Sequence, residues 1–295
     1  MSYIIKKILV PVDFSEISEL AIDTAAAIAQ RCLCDLTFLY VIQHNDYYFS
    51  VLPESVHLIP PVEEIKEKVH KKLEAIQIRV QHAFKRRAEL VVLTGNIESE
   101  IRAYATSENV DLIVMGTHGV SGYKEVFIGS NAQRVVTLSD IPVLTVTRSN
   151  IIGFENILMP FDHSLYSRQK VNIASVVAAI YNSHVHILGI LDSEDKEDLR
   201  KMKIKLQNVE GIIAGKELKF TTTIKVASNM AKTALAYAAE NNCDLMVINT
   251  GHESEITGVF LGAFAQQIVN HSPIPVLSIK PLEGTFSTHT SGSAV

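Results

Sequence analysis

The chain has 295 residues, of which 47% are hydrophobic, and this length predicts two domains with packed cores. Its formal net charge is -5, with acidic and basic residues mixed along the chain, so we expect no nucleic-acid partner. We also expect a cytoplasmic protein without membrane contact or disulfides, because neither a signal peptide nor a bilayer-spanning apolar run is recognisable and the three cysteines lack metal-site spacing.

Short apolar runs in the first half of the chain predict buried parallel strands, because each run is too short for a helix and rich in Val, Ile and Leu. These runs lie at Ile8–Val12, Leu36–Val41, Leu90–Leu93, Leu112–Met115 and Val143–Val146. Amphipathic patterns between them predict helices at Ser15–Arg31, where Ser15 is the expected cap, Val62–Arg86, Glu98–Ser107 and Asn131–Leu138. This alternation predicts an α/β fold, an open parallel five-stranded sheet with helices on both faces.

The second half of the chain repeats the first. The segments that begin at Asp111 and Asp244 align without a gap at roughly half identity. The offset between the copies is 149 residues early and 133 later, so the first copy carries an extra loop of 16 residues between Gln43 and Pro61. We therefore predict domains at 1–149 and 150–281 and a disordered tail at 282–295. The repeated strands are predicted at Ile157–Pro160, Val185–Leu191, Thr221–Val226, Leu245–Ile248 and Val276–Ile279.

Two loops of the first copy have the residues needed to hold a chain of phosphates. Ligands of open parallel sheets bind outside the carboxyl ends of the strands, where these loops lie. Glycines let backbone amides approach an anion, and a helix that starts after Gly129 adds its positive end. Two alternatives stay open: Asp13 caps the next helix, and the glycines form ordinary turns. The loops contain Pro11, Val12, Asp13 and Ser15 after the first strand, and Gly116, Gly119, Gly129 and Ser130 after the fourth.

This set of residues resembles the universal stress protein family. Nucleotide-binding members of that family carry Gly, two residues, Gly, nine residues, Gly and then Ser or Thr, and the loop from Gly116 to Ser130 matches this pattern in full. The resemblance implies two tandem domains of the Rossmann-like type found in adenine nucleotide alpha hydrolases. It covers nearly the whole first domain, through VPVDFS at the start, Leu39–Val41, Gly95 and DIPVLTV at the close.

The resemblance implies that the first domain binds ATP, or else ADP or AMP, with Mg²⁺ or Mn²⁺ held through the phosphates. Neither loop supplies an obvious general base or nucleophile, so we expect no catalytic residue and at most slow hydrolysis. Adenine and ribose would lie beside Pro11, Val12, Asp13, Val41, Met115 and Gly116, and the phosphates beside His118, Gly119, Gly129, Ser130 and Asn131.

The second copy lacks half of this phosphate loop. Side chains at glycine positions block close approach of the backbone, and two added carboxylates repel phosphates. We therefore predict that the second domain binds ATP weakly or not at all, although Gly251 offers a shifted turn. The replacements are Asn249 for Gly116, His252 for Gly119, Ala263 for Ser130 and Phe264 for Asn131, with Glu253 and Glu255 beside them, while Asp162 and Gly262 keep the residue types of Asp13 and Gly129.

The resemblance implies a stress-response protein in which ATP stabilises one conformation that a partner recognises. It also implies that the family's usual dimer is fused into one chain through Val143–Thr147 and Val276–Lys280. The sequence leaves open whether two chains form a further homodimer. The alternative function is a nucleotide-independent scaffold, which binds a partner or an apolar small molecule through the second site and the extra loop with Tyr47, Tyr48 and Phe49.

Two further patterns contain chemically active residue types. His184 and His186 alternate along a predicted strand and share one face, but no third metal ligand lies nearby in the sequence, which favours a structural role. Asp162, His163 and Ser164 are the residue types of a hydrolase triad, yet Ser164 also fits a helix cap, and we favour the cap.

Overall fold

The computed structural model of the chain describes residues 3–43, 62–117, 129–147, 153–164, 168–251 and 261–281. Several predicted features lie outside these ranges, namely the extra loop after Gln43 with its three aromatic residues, His118 and Gly119, His252, Glu253 and Glu255, and the tail at 282–295.

The first domain alternates strands and helices as its apolar periodicity predicts. Ser15 caps the first helix, because its Oγ accepts a hydrogen bond from the N–H of Ser18 at 3.2 Å. That helix ends at Leu33, which takes a left-handed conformation with φ of 57°. The elements are β1 Lys7–Pro11, α1 Glu16–Cys32, β2 Asp35–Gln43, α2 Val62–Phe84, β3 Ala88–Gly95, α3 Ile97–Ser107, β4 Leu112–Gly116, α4 Ser130–Leu138 and β5 Val143–Val146.

The second domain repeats this order of elements. None of the helices in the described ranges of either domain is long and apolar enough to cross a membrane. The elements are β6 Asn156–Phe161, α5 Val171–Tyr181, β7 His184–Leu191, α6 Lys196–Ala214, β8 Lys219–Val226, α7 Met230–Glu240, β9 Leu245–Asn249, α8 Ala263–His271 and β10 Val276–Ile279.

The strands of both domains form one sheet of ten strands, in the order β3-β2-β1-β4-β5-β10-β9-β6-β7-β8. Within each domain all neighbouring strands are parallel, and the register repeats. Lys7 pairs with Asp35 in the first domain and Asn156 with His184 in the second, so the offset of 149 residues holds in three dimensions. The direction of winding reverses between β1 and β4 and again between β6 and β9, which are the positions where sheets of this type bind ligands.

The two domains join through their last strands. β5 and β10 are antiparallel, with Leu144 opposite Leu277 and Thr145 opposite Val276. The Thr145 hydroxyl donates to the carbonyl of Val276 at 3.2 Å and adds a side-chain hydrogen bond to this pairing. The pairing of the last strands inside one chain, which the resemblance implies, is therefore confirmed.

Helices cover both faces of the sheet, because successive side chains of a strand point to opposite sides. Ile8 and Val10 of β1 pack in the layer beneath α1, α2, α5 and α6, whereas Leu9 packs in the layer beneath α3, α4, α7 and α8. The first layer continues across the two domains, where the guanidinium carbon of Arg31 lies 4.6 Å from the ring centre of Tyr181. Both faces of the parallel strands are thus removed from water.

Removing the Thr145 hydroxyl tests how much this side-chain bond stabilises the joined sheet. We expect Thr145→Val to lower the free energy of unfolding by about 1 kcal/mol, because the buried bond to Val276 is lost. Thr222→Val is the matched control, since the buried Thr222 hydroxyl has no partner among the described residues, and its removal is expected to leave stability unchanged or raise it. Urea unfolding followed by circular dichroism measures both, and equal effects would contradict the assignment.

Candidate functional site

A cavity of about 390 Å³ lies at the carboxyl ends of β1, β2 and β4 in the first domain. Its position at the reversal between β1 and β4 is the one the sheet topology favours for a ligand. The structure brings together nine of the residues assigned from the sequence, while His118 and Gly119 lie outside the described residues. The nine that line the cavity are Pro11, Val12, Asp13, Val41, Met115, Gly116, Gly129, Ser130 and Asn131.

Asp13 is positioned by the turn that precedes α1. Its Oδ1 accepts hydrogen bonds from the N–H of Ser15 at 3.0 Å and from the Ser15 hydroxyl at 2.6 Å. Ser15, not Asp13, caps the helix, so the alternative in which Asp13 serves as the cap is wrong. Among the described residues no hydrogen bond reaches the second oxygen, Oδ2, which leaves one carboxylate acceptor at the edge of the cavity.

The turn is also held by an aromatic stack. Phe14 takes a left-handed φ of 63°, and its ring stacks on that of Tyr40 with the ring centres 5.0 Å apart. Burial raises the pKa of the Tyr40 hydroxyl, and the negative charge of Asp13 raises it further. Tyr40 is therefore a neutral hydrogen-bonding group at physiological pH.

Gly116 at the end of β4 permits a close contact between strand and helix. A Cβ at this position would lie 2.8 Å from Cγ2 of Ile17 and 3.2 Å from the carbonyl carbon of the same residue. The first turn of α1 can therefore pack against the strand only if residue 116 has no side chain.

The start of α4 presents to the cavity amides that have no hydrogen-bond partner among the described residues. The N–H of Gly129 donates to the carbonyl of Thr117 at 2.7 Å, which closes the loop, and Gly129 provides no side-chain cap. The first N–H groups of a helix have no partner within it, and those of Ser130, Asn131 and Ala132 belong to residues that line the cavity. Free N–H groups and the positive end of the helix dipole are the features by which helix N-termini bind anions.

Further residues line the cavity that the sequence analysis did not assign to it. Their sequence pattern is not distinctive, because the spacing of Ile97 and Ile101 on one face of α3 is equally typical of ordinary core packing. The additional lining residues are Ser18, Leu39, Tyr40, Gln43, Ile97, Ile101, Thr117 and Ala132.

The second domain has a smaller cavity, of about 170 Å³, at the corresponding place. The N–H of Gly262 donates to the carbonyl of Thr250 at 2.9 Å, as Gly129 does to Thr117 in the first domain. Gly251 takes a left-handed φ of 96°, and a Cβ there would lie 3.0 Å from the nitrogen of Gly262. The hydrogen bond that precedes the helix is therefore the same in both domains, but the cavity of the second domain is smaller.

A lysine side chain enters this smaller cavity. Lys170, which aligns with Ala21 of α1, is 2% exposed. Its Nζ donates to the carbonyl of Pro160 at 2.5 Å and to Oδ1 of Asn249 at 3.3 Å. Asn249 occupies the position of Gly116. The second domain therefore has two long polar side chains, Lys170 and Asn249, where the first domain has alanine and glycine.

The helix that follows this lysine begins later than its counterpart in the first domain. α5 begins at Val171, which aligns with Ile22, whereas α1 begins at Glu16. Residues 165–167 lie outside the described residues, so the cap at Ser164 stays a prediction. The N–H of Ser164 donates to Oδ1 of Asp162 at 3.0 Å.

The charges around Lys170 are closely placed. Burial lowers the pKa of the Lys170 amine to about 7; the carboxylate of Asp162 opposes this shift and the charge of Lys205 adds to it. Burial also lowers the pKa of Lys205, whose Nζ donates to the carbonyls of Asp162 at 2.6 Å and Ser164 at 2.8 Å. Nδ2 of Asn249 is buried without a hydrogen-bond partner among the described residues.

The two histidines of β7 contact hydroxyl groups. Nε2 of His184 lies 2.7 Å from Oγ1 of Thr221, and Nδ1 of His186 lies 3.4 Å from the hydroxyl of Tyr237. In the ranges that the structure describes, no group of three or more His, Cys, Asp or Glu residues is arranged to hold a metal ion.

Comparisons with known proteins agree on one family. The model of the universal stress protein family matches residues 5–147 and 153–280. The universal stress protein MJ0577 of Methanocaldococcus jannaschii is 32% identical over 161 residues, which are 51% of this chain and 99% of that protein. The universal stress protein YxiE of Bacillus subtilis is 33% identical over 145 residues, 48% of this chain and 97% of that protein.

A solved structure extends the likeness to both domains. A universal stress protein from Archaeoglobus fulgidus covers 93% of this chain and 98% of its own, with a TM-score of 0.74. Because the two sequences are 22% identical, this likeness concerns the fold.

Proposed function

The chain belongs to the universal stress protein family as a member with two tandem domains, and we propose that its first domain binds ATP as a regulatory ligand. The observation that carries this proposal is the cavity of the first domain. There, apolar walls lie beside the amides at the start of α4, which have no partner among the described residues. A volume of about 390 Å³ lies within the range of small-molecule sites.

The lining divides into parts that suit the parts of the nucleotide. Leu39, Val41 and Met115 provide apolar surface for the adenine, and the backbone of Val41 provides hydrogen bonds to its edge. Oδ2 of Asp13, which accepts no hydrogen bond from a described residue, suits a ribose hydroxyl. The amides of Ser130 and Asn131 suit the phosphates. A bound Mg²⁺ or Mn²⁺ would neutralise phosphate charge and be held through the phosphate oxygens.

ATP is proposed as a signal rather than as a substrate that turns over rapidly. Asp13 is the one carboxylate in the described lining, and its Oδ1 is already engaged by Ser15. A general base must reach the attacking water, so hydrolysis is expected to be slow at most. We propose that the bound form is recognised by a partner during the stress response, in the cytoplasm, where the free thiols of Cys32, Cys34 and Cys243 remain reduced.

The second domain is proposed not to bind ATP. Lys170 and Asn249 reduce its cavity to about 170 Å³, and Phe264 replaces the residue that the phosphates would contact. Its mainly apolar lining favours the alternative function, binding of a small molecule other than a nucleotide, for this domain alone.

Stabilisation by ATP tests the proposal. At a concentration of 100 times its Kd, ATP with magnesium is expected to raise the free energy of unfolding by about 2.7 kcal/mol, because it binds only the folded first domain. Urea unfolding with and without nucleotide measures this, and mass spectrometry of nucleotide that co-purifies with the chain gives the stoichiometry, with one per chain expected. An unchanged unfolding curve at millimolar ATP would favour the nucleotide-independent scaffold.

A further inference from the structure

The cavity of the second domain places a primary amine among apolar groups. Lys170 is almost completely buried, and Phe161, Ile190, Met230 and Phe264 form the surrounding wall. A lysine used only for solubility or surface pairing keeps its amine in water. The burial of this amine beside an open volume therefore needs a separate explanation.

The hydrogen bonds of Lys170 match those of a neutral amine. Two acceptors contact Nζ, the carbonyl of Pro160 and Oδ1 of Asn249. A neutral amine has two N–H groups, which these acceptors satisfy, and one lone pair. An ammonium group needs a third acceptor, and apart from the face of the Phe161 ring, whose centre lies 4.5 Å from Nζ, the described residues provide none. Because burial lowers the pKa of this amine to about 7, roughly half of it is neutral at that pH.

A donor lies beside the amine. Nδ2 of Asn249 is buried and unpartnered among the described residues, while Oδ1 of the same amide is held by Lys170. A buried amide N–H without an acceptor is costly, so the cavity favours a guest that brings an oxygen atom. The carbonyl oxygen of a small molecule is such an acceptor.

We propose that the second domain captures a small uncharged aldehyde or ketone in this cavity, as an imine of Lys170. The lone pair of Nζ forms the carbon–nitrogen bond while the carbonyl π electrons move to the oxygen, which Nδ2 of Asn249 stabilises by a hydrogen bond. The oxygen then leaves as water with both protons of the amine, so the products are the imine and one water. The volume of about 170 Å³ restricts the guest to a short chain, and the carboxylate of Asp162 disfavours anionic carbonyl compounds.

Reductive trapping on the unaltered full-length chain tests the proposal. The protein is treated with propanal and cyanoborohydride at pH 7, and peptide mapping gives the rate of propylation at each lysine. We expect Lys170 to be modified at least about ten times faster than the exposed Lys216, because an ordinary lysine is free amine in roughly one molecule of two thousand at this pH. The rate at Lys170 should level off above about pH 8, whereas the rate at Lys216 keeps rising.

Two variants separate capture from simple exposure. Lys170→Arg keeps a long basic side chain but cannot form an imine, and it should lose the fast phase of trapping. Asn249→Leu removes the donor and should slow trapping at Lys170 several-fold. The proposal would be refuted if Lys170 were modified no faster than Lys216, or if it were modified only in urea. No nucleotide is present in this experiment, so its result does not depend on whether the first domain binds ATP. Mapping of the unaltered chain decides the matter even if a variant fails to fold.

Discussion

Replacing Gly116 with Asn is expected to lower the affinity of the first domain for ATP by at least about a hundredfold, which corresponds to roughly 2.7 kcal/mol. Any side chain at this position meets Ile17 within 2.8 Å, so the first turn of α1 must move away from β4. That turn is anchored by Ser15 and Ser18, which also position Asp13. The substitution therefore displaces one side of the cavity rather than a single contact.

In the second domain Asn249 occupies the corresponding position, and the domain has the same order of strands and helices. Its helix α5 begins six residues later than α1 in the alignment. Gly116→Asn is accordingly expected to keep a native circular dichroism spectrum while it loses ATP. Isothermal titration with ATP and magnesium measures the affinity.

Gly211→Ala is the matched control for this substitution. A Cβ at Gly211 meets no atom within 4 Å, so this variant should bind ATP like the unaltered chain. If Gly116→Asn bound ATP with less than a tenfold loss, the contact between Ile17 and β4 would not shape the site.

Most of the fold follows from local pattern. Short runs such as Val143–Val146 have too few residues for a helix, and their recurrence at a fixed offset predicts the same topology twice. The pairing of β5 with β10 follows from the resemblance to the family, whose subunits pair through the last strand. What the sequence cannot give is the register between β5 and β10, which depends on how the two halves meet.

The candidate site is predictable only in part. The loop residues around Gly116 and Gly129 carry a recognisable spacing, and the structure places the described ones around one cavity. Lys170 carries no such signal, since a lysine at the edge of a helical pattern is typical of a solvent-exposed position. Its burial involves contacts that are distant in the sequence, such as the hydrogen bond to Asn249, 79 residues away.

Burial of Lys170 makes the stability of the second domain depend on pH. The pKa of its amine is about 7 in the folded chain and about 10.4 in an unfolded one. Between these two pH values the unfolded chain binds more protons than the folded chain, so the free energy of unfolding rises with pH. The contribution of the neutral amine is complete above about pH 10.4 and is lost as the pH falls toward 7. Asp162 and Lys205, the charged groups that act on it, remain in place when Lys170 is replaced.

Comparison with Lys170→Met isolates this effect. Between pH 6 and pH 9 the free energy of unfolding of the unaltered chain should rise by about 2.5 kcal/mol relative to that of the variant. This value is obtained by integrating, over this pH interval, the difference in bound protons between the unfolded and the folded chain. Urea unfolding followed by circular dichroism at pH 6, 7.5 and 9 measures the difference, and Lys216→Met, which removes an exposed lysine, is the control. A constant difference across this range would mean that Lys170 keeps its proton on folding, and the neutral amine on which imine capture depends would then be absent at physiological pH.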